Sequence, residues 1–212
     1  MLINIDNLSC GYNETPVFES FDLEVCKGEF VSIIGTGKSC LMRVLSGQQL
    51  PLSGRLYIKR KISQTGCGVA FLPQNYQLIP QKTVVENLLI PLSLRCIPKE
   101  KALPLAENAL REFGLFDYRD FQPAWLSDNL CGLVAFAEIL LFDSEIYLLD
   151  EPFERLTGKT KQFCYNILRN LHFRHKTVIL ATRDSYEASV LADRIVDLTD
   201  YNCSSKMMLT KS

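Results

Sequence analysis

Residues 30–41 read Phe30-Val31-Ser32-Ile33-Ile34-Gly35-Thr36-Gly37-Lys38-Ser39-Cys40-Leu41, an apolar run that stops at a glycine loop and resumes at helical spacing. Glu29 to Ile34 predicts a short buried strand, because β-branched and aromatic residues crowd it without a helical period. Leu41, Met42, Val44 and Leu45 predict a helix that Gly47 ends. Strand, glycine loop and helix together supply backbone amides, a helix N-terminus, a lysine and a hydroxyl, which are the groups that receive phosphates and magnesium. The usual phosphate-loop spacing places a glycine five residues before the second loop glycine, and here that position is Ser32, inside the strand. A loop shortened in this way offers fewer consecutive amides for an anion nest. Gly35, Thr36, Gly37, Lys38, Ser39 and the adjacent Cys40 are the expected nucleotide-binding residues. The competing reading is a chance glycine turn.

Ile146-Tyr147-Leu148-Leu149-Asp150-Glu151 weighs against chance. Four apolar residues bury a strand and deliver two carboxylates at its C-terminal end, where parallel sheets keep their ligands. Asp150 is expected in the magnesium shell, and Glu151 is expected to orient or deprotonate an attacking water. A solvated pair of acids at a strand end is the bland alternative.

Outward from these two stretches the chain alternates. Strands are expected at Leu2 to Ile5, Phe21 to Val25, Arg55 to Ile58, Val69 to Leu72, Thr177 to Ala181 and Ile195 to Leu198. Helical spacing dominates from Val84 to about Leu141, punctuated by Pro98, Pro104, Gly114 and Pro123, and returns at Thr160 to Leu171 and Ser185 to Ala192. Strands alternating with helices predict an α/β fold with a parallel sheet. The expected organisation is one domain over 1–212, its core in 1–83 and 143–212 and a helical subdomain inserted at roughly 84–142.

Composition narrows the functional classes. The 212 residues are 47% hydrophobic and 22% charged, with 11 Gly and 9 Pro, which excludes disorder and collagen-like repeats. Lys plus Arg number 23 against 24 Asp plus Glu, so the chain as a whole presents no cationic field to nucleic acid. Met1 to Cys10 lacks a basic stretch followed by an apolar core, so a cytosolic location is expected. The eight cysteines contain no CxxC pair. Seven are read as small apolar fillers, with Cys40 set apart by its neighbours. No apolar run approaches the ~20 residues that cross a bilayer. His172 and His175 are read as a solvated helix end in preference to a metal pair. Arg55, Lys59, Arg60 and Lys61 are read as a solvated strand end.

From about Leu2 to Leu198 the chain resembles the ATP-binding subunits of ABC transporters. The resemblance rests on ordered motifs: the phosphate loop, Gln74 in Phe71-Leu72-Pro73-Gln74, the run Thr83-Val84-Val85-Glu86-Asn87, and Leu148-Leu149-Asp150-Glu151-Pro152-Phe153. It implies a P-loop NTPase core with an N-terminal antiparallel β subdomain. It also implies ATP and magnesium as cofactors, Tyr12 stacking on adenine, and Gln74 both completing the magnesium shell and acting with Glu151 in hydrolysis. The segments Asp150 to Phe153 and Tyr186 to Arg194 look most like importers of the nitrate, taurine and aliphatic-sulfonate group. Gly37 to Leu41 is also similar to the opening of small GTPases, but no Asn-Lys-x-Asp follows to read guanine.

Three positions depart from the family. Its Leu-Ser-Gly-Gly-Gln signature falls on Leu126-Ser127-Asp128-Asn129-Leu130, and the following helix, Cys131 to Leu141, has no basic residue and carries Glu138. Asp128 places a carboxylate where the family holds a partner's γ-phosphate, and like charges at short range cost energy. Where the family has a histidine on the γ-phosphate, this chain has Arg183, which pairs with phosphate but stays charged near pH 7. With the shortened loop, these departures imply a degenerate ATP-binding subunit, peripheral on the cytoplasmic face of the cell membrane. Its expected partners are permease subunits and a second ATP-binding subunit, an intact paralogue in preference to a copy of itself. The alternative is a non-hydrolysing regulatory or scaffold protein that keeps the fold.

Overall fold

The computed structural model describes residues 1–59 and 68–201. Its strands are β1 (Ile3–Tyr12), β2 (Thr15–Val25), β3 (Phe30–Ile34), β4 (Ser53–Ile58), β5 (Val69–Leu72), β6 (Ile146–Asp150), β7 (Thr177–Ala181) and β8 (Arg194–Asp197). Its α-helices are α1 (Lys38–Ser46), α2 (Val84–Leu94), α3 (Lys99–Glu112), α4 (Asp128–Leu140), α5 (Gly158–Phe173) and α6 (Ser185–Leu191).

Two sheets form. β2, β1 and β4 make an antiparallel sheet in that order, and β5, β6, β7, β3 and β8 make a second whose pairings are all parallel. The α/β expectation with a parallel core and an N-terminal antiparallel sheet therefore holds. Parallel strands must be covered on both faces, and alternation along them sorts side chains into two cores. Ile146 and Leu148 of β6, Val31 and Ile33 of β3, and Ile179 of β7 face a core shared with α1 and the antiparallel sheet. Tyr147, Leu149, Val178 and Leu180 face a core built with α2 to α5. The helical stretch of the chain thus lies on one side of the parallel sheet and the phosphate-loop helix on the other.

Some local expectations are corrected. Pro104 does not interrupt its helix; α3 runs through it, held by buried Ala102, Ala106 and Leu110 on one face. Pro91 likewise lies inside α2, which starts with a capping box between Thr83 and Glu86. The cysteines are not uniformly fillers. Cys10 and Cys40 form a disulfide, Cys26 and Cys96 are exposed, Cys131 is half-buried, and Cys164 alone of the described free cysteines is buried. Cys67, Cys203, Arg60 and Lys61 lie outside the described residues. No described helix is long and apolar enough to cross a membrane.

Candidate functional site

Backbone geometry at the end of β3 sets the site. β3 continues through Ser32 to Ile34, so only Gly35, Thr36 and Gly37 separate it from α1. Both glycines have left-handed backbone, φ 90° and 97°. A Cβ at Gly35 would stand 2.6 Å from the Asp197 carboxylate, and one at Gly37 would stand 2.9 Å from the Phe18 ring. Glycine is required at both places by conformation and by space. α1 then begins on Gly37 with no side-chain cap, which leaves its first amides facing the loop. The Lys38 ammonium folds back to donate to the Gly35 carbonyl at 2.8 Å, spanning the short loop.

A cavity of about 630 Å³ opens over this loop. It gathers Tyr12 from the end of β1, the whole stretch from Gly35 to Cys40, Glu151 after β6 and Arg183 after β7. Tyr12 is 45% exposed, and the Arg43 guanidinium stands 5.9 Å from its ring centroid. The volume falls within the range of ordinary ligand pockets. Two expected residues stand apart. Gln74 lies outside the lining, its amide donating to Glu154 at 3.0 Å, and Asp150 sits beneath it, 3% exposed. Cys40 lines the cavity, but its sulfur is committed to Cys10, which ties β1 to the first turn of α1.

The two acids differ in environment. Burial pushes the Asp150 carboxyl above the usual carboxylate range; the Ser39 hydroxyl and the charges of Lys38, Arg43 and Arg183 oppose that shift. One Asp150 oxygen is buried with no hydrogen-bond partner. An orphaned carboxylate oxygen beside a hydroxyl fits one edge of a magnesium site whose other ligands are phosphate and water. No cluster of three or more acidic, His or Cys ligands occurs among the described residues, so an all-protein metal cage is absent there.

Glu151 has a left-handed backbone, φ 48°, which turns its side chain back across the end of the sheet. One carboxylate oxygen accepts the Arg183 backbone N–H at 3.2 Å. The other lies 3.4 Å from the Arg183 guanidinium and 3.7 Å from the Lys38 ammonium. Burial raises its pKa, and Arg183 and Lys38 hold the rise in check. Sequence reasoning placed Arg183 at the site but had no signal for its contact with Glu151.

The segment 126–130 is built differently. Ser127 caps α4, accepting the Leu130 N–H at 3.4 Å, and Asp128 occupies the first turn. Asn129 accepts the Thr157 N–H and donates to the Thr160 hydroxyl, pinning this loop to the start of α5. A structural role for Asn129 was not visible in the sequence, because its partners lie about thirty positions away. Trp125, just before this loop, is 68% exposed.

The profile of the ABC transporter family matches residues 18–154. The chain belongs to the ABC transporter family. An ABC transporter ATP-binding protein of Methanocaldococcus jannaschii is 33% identical over 192 residues, which is 88% of this chain and 72% of that one. A bicarbonate transport ATP-binding protein of Synechococcus elongatus is 35% identical over 197 residues, 90% of this chain and 30% of that longer protein. Among solved structures, a dimeric ATP-binding cassette in a post-hydrolysis state, bound to ADP and Pi, superposes with a TM-score of 0.84 at 26% identity. That match covers 94% of this chain and 95% of that one. This chain is therefore an ABC ATP-binding domain of the ABC ATPase family.

Proposed function

We propose that this ABC cassette binds Mg-ATP between Tyr12 and the Gly35–Ser39 loop and couples that binding to solute import through a membrane permease, as the degenerate member of an asymmetric dimer. The observation that carries the reading is the convergence of Lys38, Ser39, Glu151 and Arg183 around one cavity above an uncapped helix N-terminus, with buried Asp150 hydrogen-bonded to Ser39. Lys38 and the α1 amides would hold phosphate oxygens, and Ser39 with Asp150 and Gln74 would hold magnesium. Magnesium, when bound, neutralises charge developing on the phosphates. Glu151 receives a proton from the attacking water. Arg183 stays cationic, so it anchors a γ-phosphate and at the same time stabilises the anionic form of Glu151, which weakens Glu151 as a base.

Asymmetry follows from the other half of a composite site. Asp128 brings a carboxylate where a partner's phosphate is expected, so the site this chain completes for its partner is impaired and the site on its own loop is the working one. The partner is an intact paralogue. The chain works as one domain, its helical subdomain at roughly 84–142, on the cytoplasmic face of the membrane. The relative named for bicarbonate transport supports a small inorganic anion as the solute and so favours the nitrate-like importer group.

Calorimetry of Mg-ATP on the purified chain tests the nucleotide site. Micromolar binding that weakens at least tenfold in Lys38→Ala is expected. Unchanged binding in Lys38→Ala would refute the site. No binding in either form would instead favour a scaffold that keeps the fold without the nucleotide.

A further inference from the structure

The covalent link between Cys10 and Cys40 joins two parts of the chain from which the nucleotide cavity is built. Cys10 lies two residues before Tyr12 near the end of β1, and Cys40 lies in the first turn of α1, directly after Ser39. Cys10 is fully buried and Cys40 is 1% exposed, yet Cys40 belongs to the cavity lining and Cys10 does not. The bond is therefore approached through the cavity, from the Cys40 side. Gln49, in the chain just after α1, donates from its side-chain amide to the Gly11 carbonyl at 2.6 Å. The same nitrogen stands 3.6 Å from the Cys40 sulfur and 3.8 Å from that of Cys10. Through these contacts the strand that carries Tyr12 is fastened to the helix that carries Lys38 and Ser39.

We propose that the Cys10–Cys40 pair is a redox switch on nucleotide affinity: closed, it holds Tyr12 and the phosphate loop at a fixed spacing, and open, it releases them. The inference rests on the nucleotide reading above and deepens it by stating how that site is regulated. On the cytoplasmic face, where thiols are kept reduced, a disulfide is characteristically transient or redox-sensing. Closing transfers two electrons to a small-molecule disulfide such as glutathione disulfide. The Cys40 thiolate attacks it, displacing one thiol and leaving a mixed disulfide; the Cys10 thiolate then attacks the Cys40 sulfur and displaces the second. The two protein protons leave on the two thiols released, and a dithiol reverses the exchange. Groups that bind one ligand together hold it more tightly when their spacing is set beforehand, because binding then orders less of the protein. The spacing matters here because only three residues, Gly35 to Gly37, separate β3 from α1, so the phosphate seat is small and the Tyr12 contact counts for more. By linkage, a nucleotide that prefers the closed form also stabilises the bond. Seated on the Gly35–Ser39 loop, it covers Cys40 against attack.

The full chain is oxidised with glutathione disulfide or reduced with dithiothreitol, and alkylation with peptide mass spectrometry reads the state of Cys10 and Cys40. Mg-ATP is then titrated into each form by calorimetry. Oxidised wild type is expected to bind more tightly than reduced wild type by about fivefold or more. Cys10→Ser, which cannot close the bond, is expected to match reduced wild type in both buffers. Saturating Mg-ATP is expected to slow the reduction of the bond by dithiothreitol by about the same factor in wild type, and to have no such effect in Lys38→Ala. Four results each overturn the proposal and leave the nucleotide reading standing: equal affinity in the two forms, tighter binding by the reduced form, an effect of oxidation that persists in Cys10→Ser, or thiols at Cys10 and Cys40 that survive glutathione disulfide. Reduction as fast with Mg-ATP bound as without it overturns it too. Absence of Mg-ATP binding in both forms overturns both readings.

Discussion

Glu151 and Glu138 are both carboxylates in partly dry surroundings, and what separates them is the company each keeps. Glu151 has a backbone N–H and two cations within 3.7 Å, so its negative form is supported. Glu138 has none among the described residues, and burial raises its pKa to about 7. The folded state therefore holds a proton that the unfolded chain, titrating near the ordinary 4.5 of a glutamate, has already released. Between those two values the native state binds more protons, so stability falls as pH rises from about 4.5 to about 7 and stays low above that. Glu138→Gln removes this term. The variant is expected to match wild type near pH 5 and to exceed it by about 2–3 kcal/mol at pH 8, measured by urea denaturation at both pH values. A variant no more stable than wild type at pH 8 would mean that the carboxylate is solvated in the native state.

The elements were legible in the sequence to the extent that their signals were local. Val69–Leu72 and Thr177–Ala181 are strands with the expected bounds, because each is a short apolar run held by parallel pairing, Val69–Leu72 at the sheet edge against β6 and Thr177–Ala181 between β6 and β3. β1 and β2 are longer than their apolar alternation announces. Register shifts between Ile5 and Leu8 and again near Cys10 break the period, and Asn7 and Ser20 take left-handed backbone within the strands. Of the site, the contiguous loop and the acids after β6 could be read directly, whereas Gln74 turned toward Glu154 and Asn129 tied to Thr157 depend on distant partners. The Cys10–Cys40 bond was hidden for the same reason, since it joins β1 to α1 across 30 positions that only the fold brings together. In the chain-entropy account a loop of that length is worth about 3–4 kcal/mol when closed. Cys10→Ser leaves Cys40 in place and is expected to lower the midpoint of thermal unfolding by roughly 10 °C under oxidising conditions. Under a reducing buffer the difference from wild type should shrink to a few degrees. An equal loss in both buffers would show that Cys10 contributes by packing and not by its bond.

At the scale of the whole molecule the working unit is a pair of cassettes, and this chain brings two unequal surfaces to it. One is the cavity over Gly35–Ser39, lined by Lys38 and Arg183, and the other is the loop of Ser127 and Asp128, which in the proposed asymmetric dimer sets a carboxylate against the partner's phosphate. In a dimer of identical chains every composite site contains one of each, so the unfavourable loop limits both sites. The limit can be lifted on one side alone. Asp128→Gly combined with Lys38→Ala makes a chain that offers an uncharged loop but has no phosphate lysine of its own. Mixed with wild type, it forms some dimers in which the wild-type phosphate loop faces the uncharged partner loop. Those dimers are expected to hydrolyse ATP faster than either parent alone, by about tenfold for the removal of one like charge near the phosphate. The steady-state rate of the mixture, followed as the ratio of the two chains is varied, should pass through a maximum near equal amounts. A rate that merely interpolates between the two parents would show that Asp128 does not face the partner's phosphate, and the asymmetric dimer would lose its physical basis.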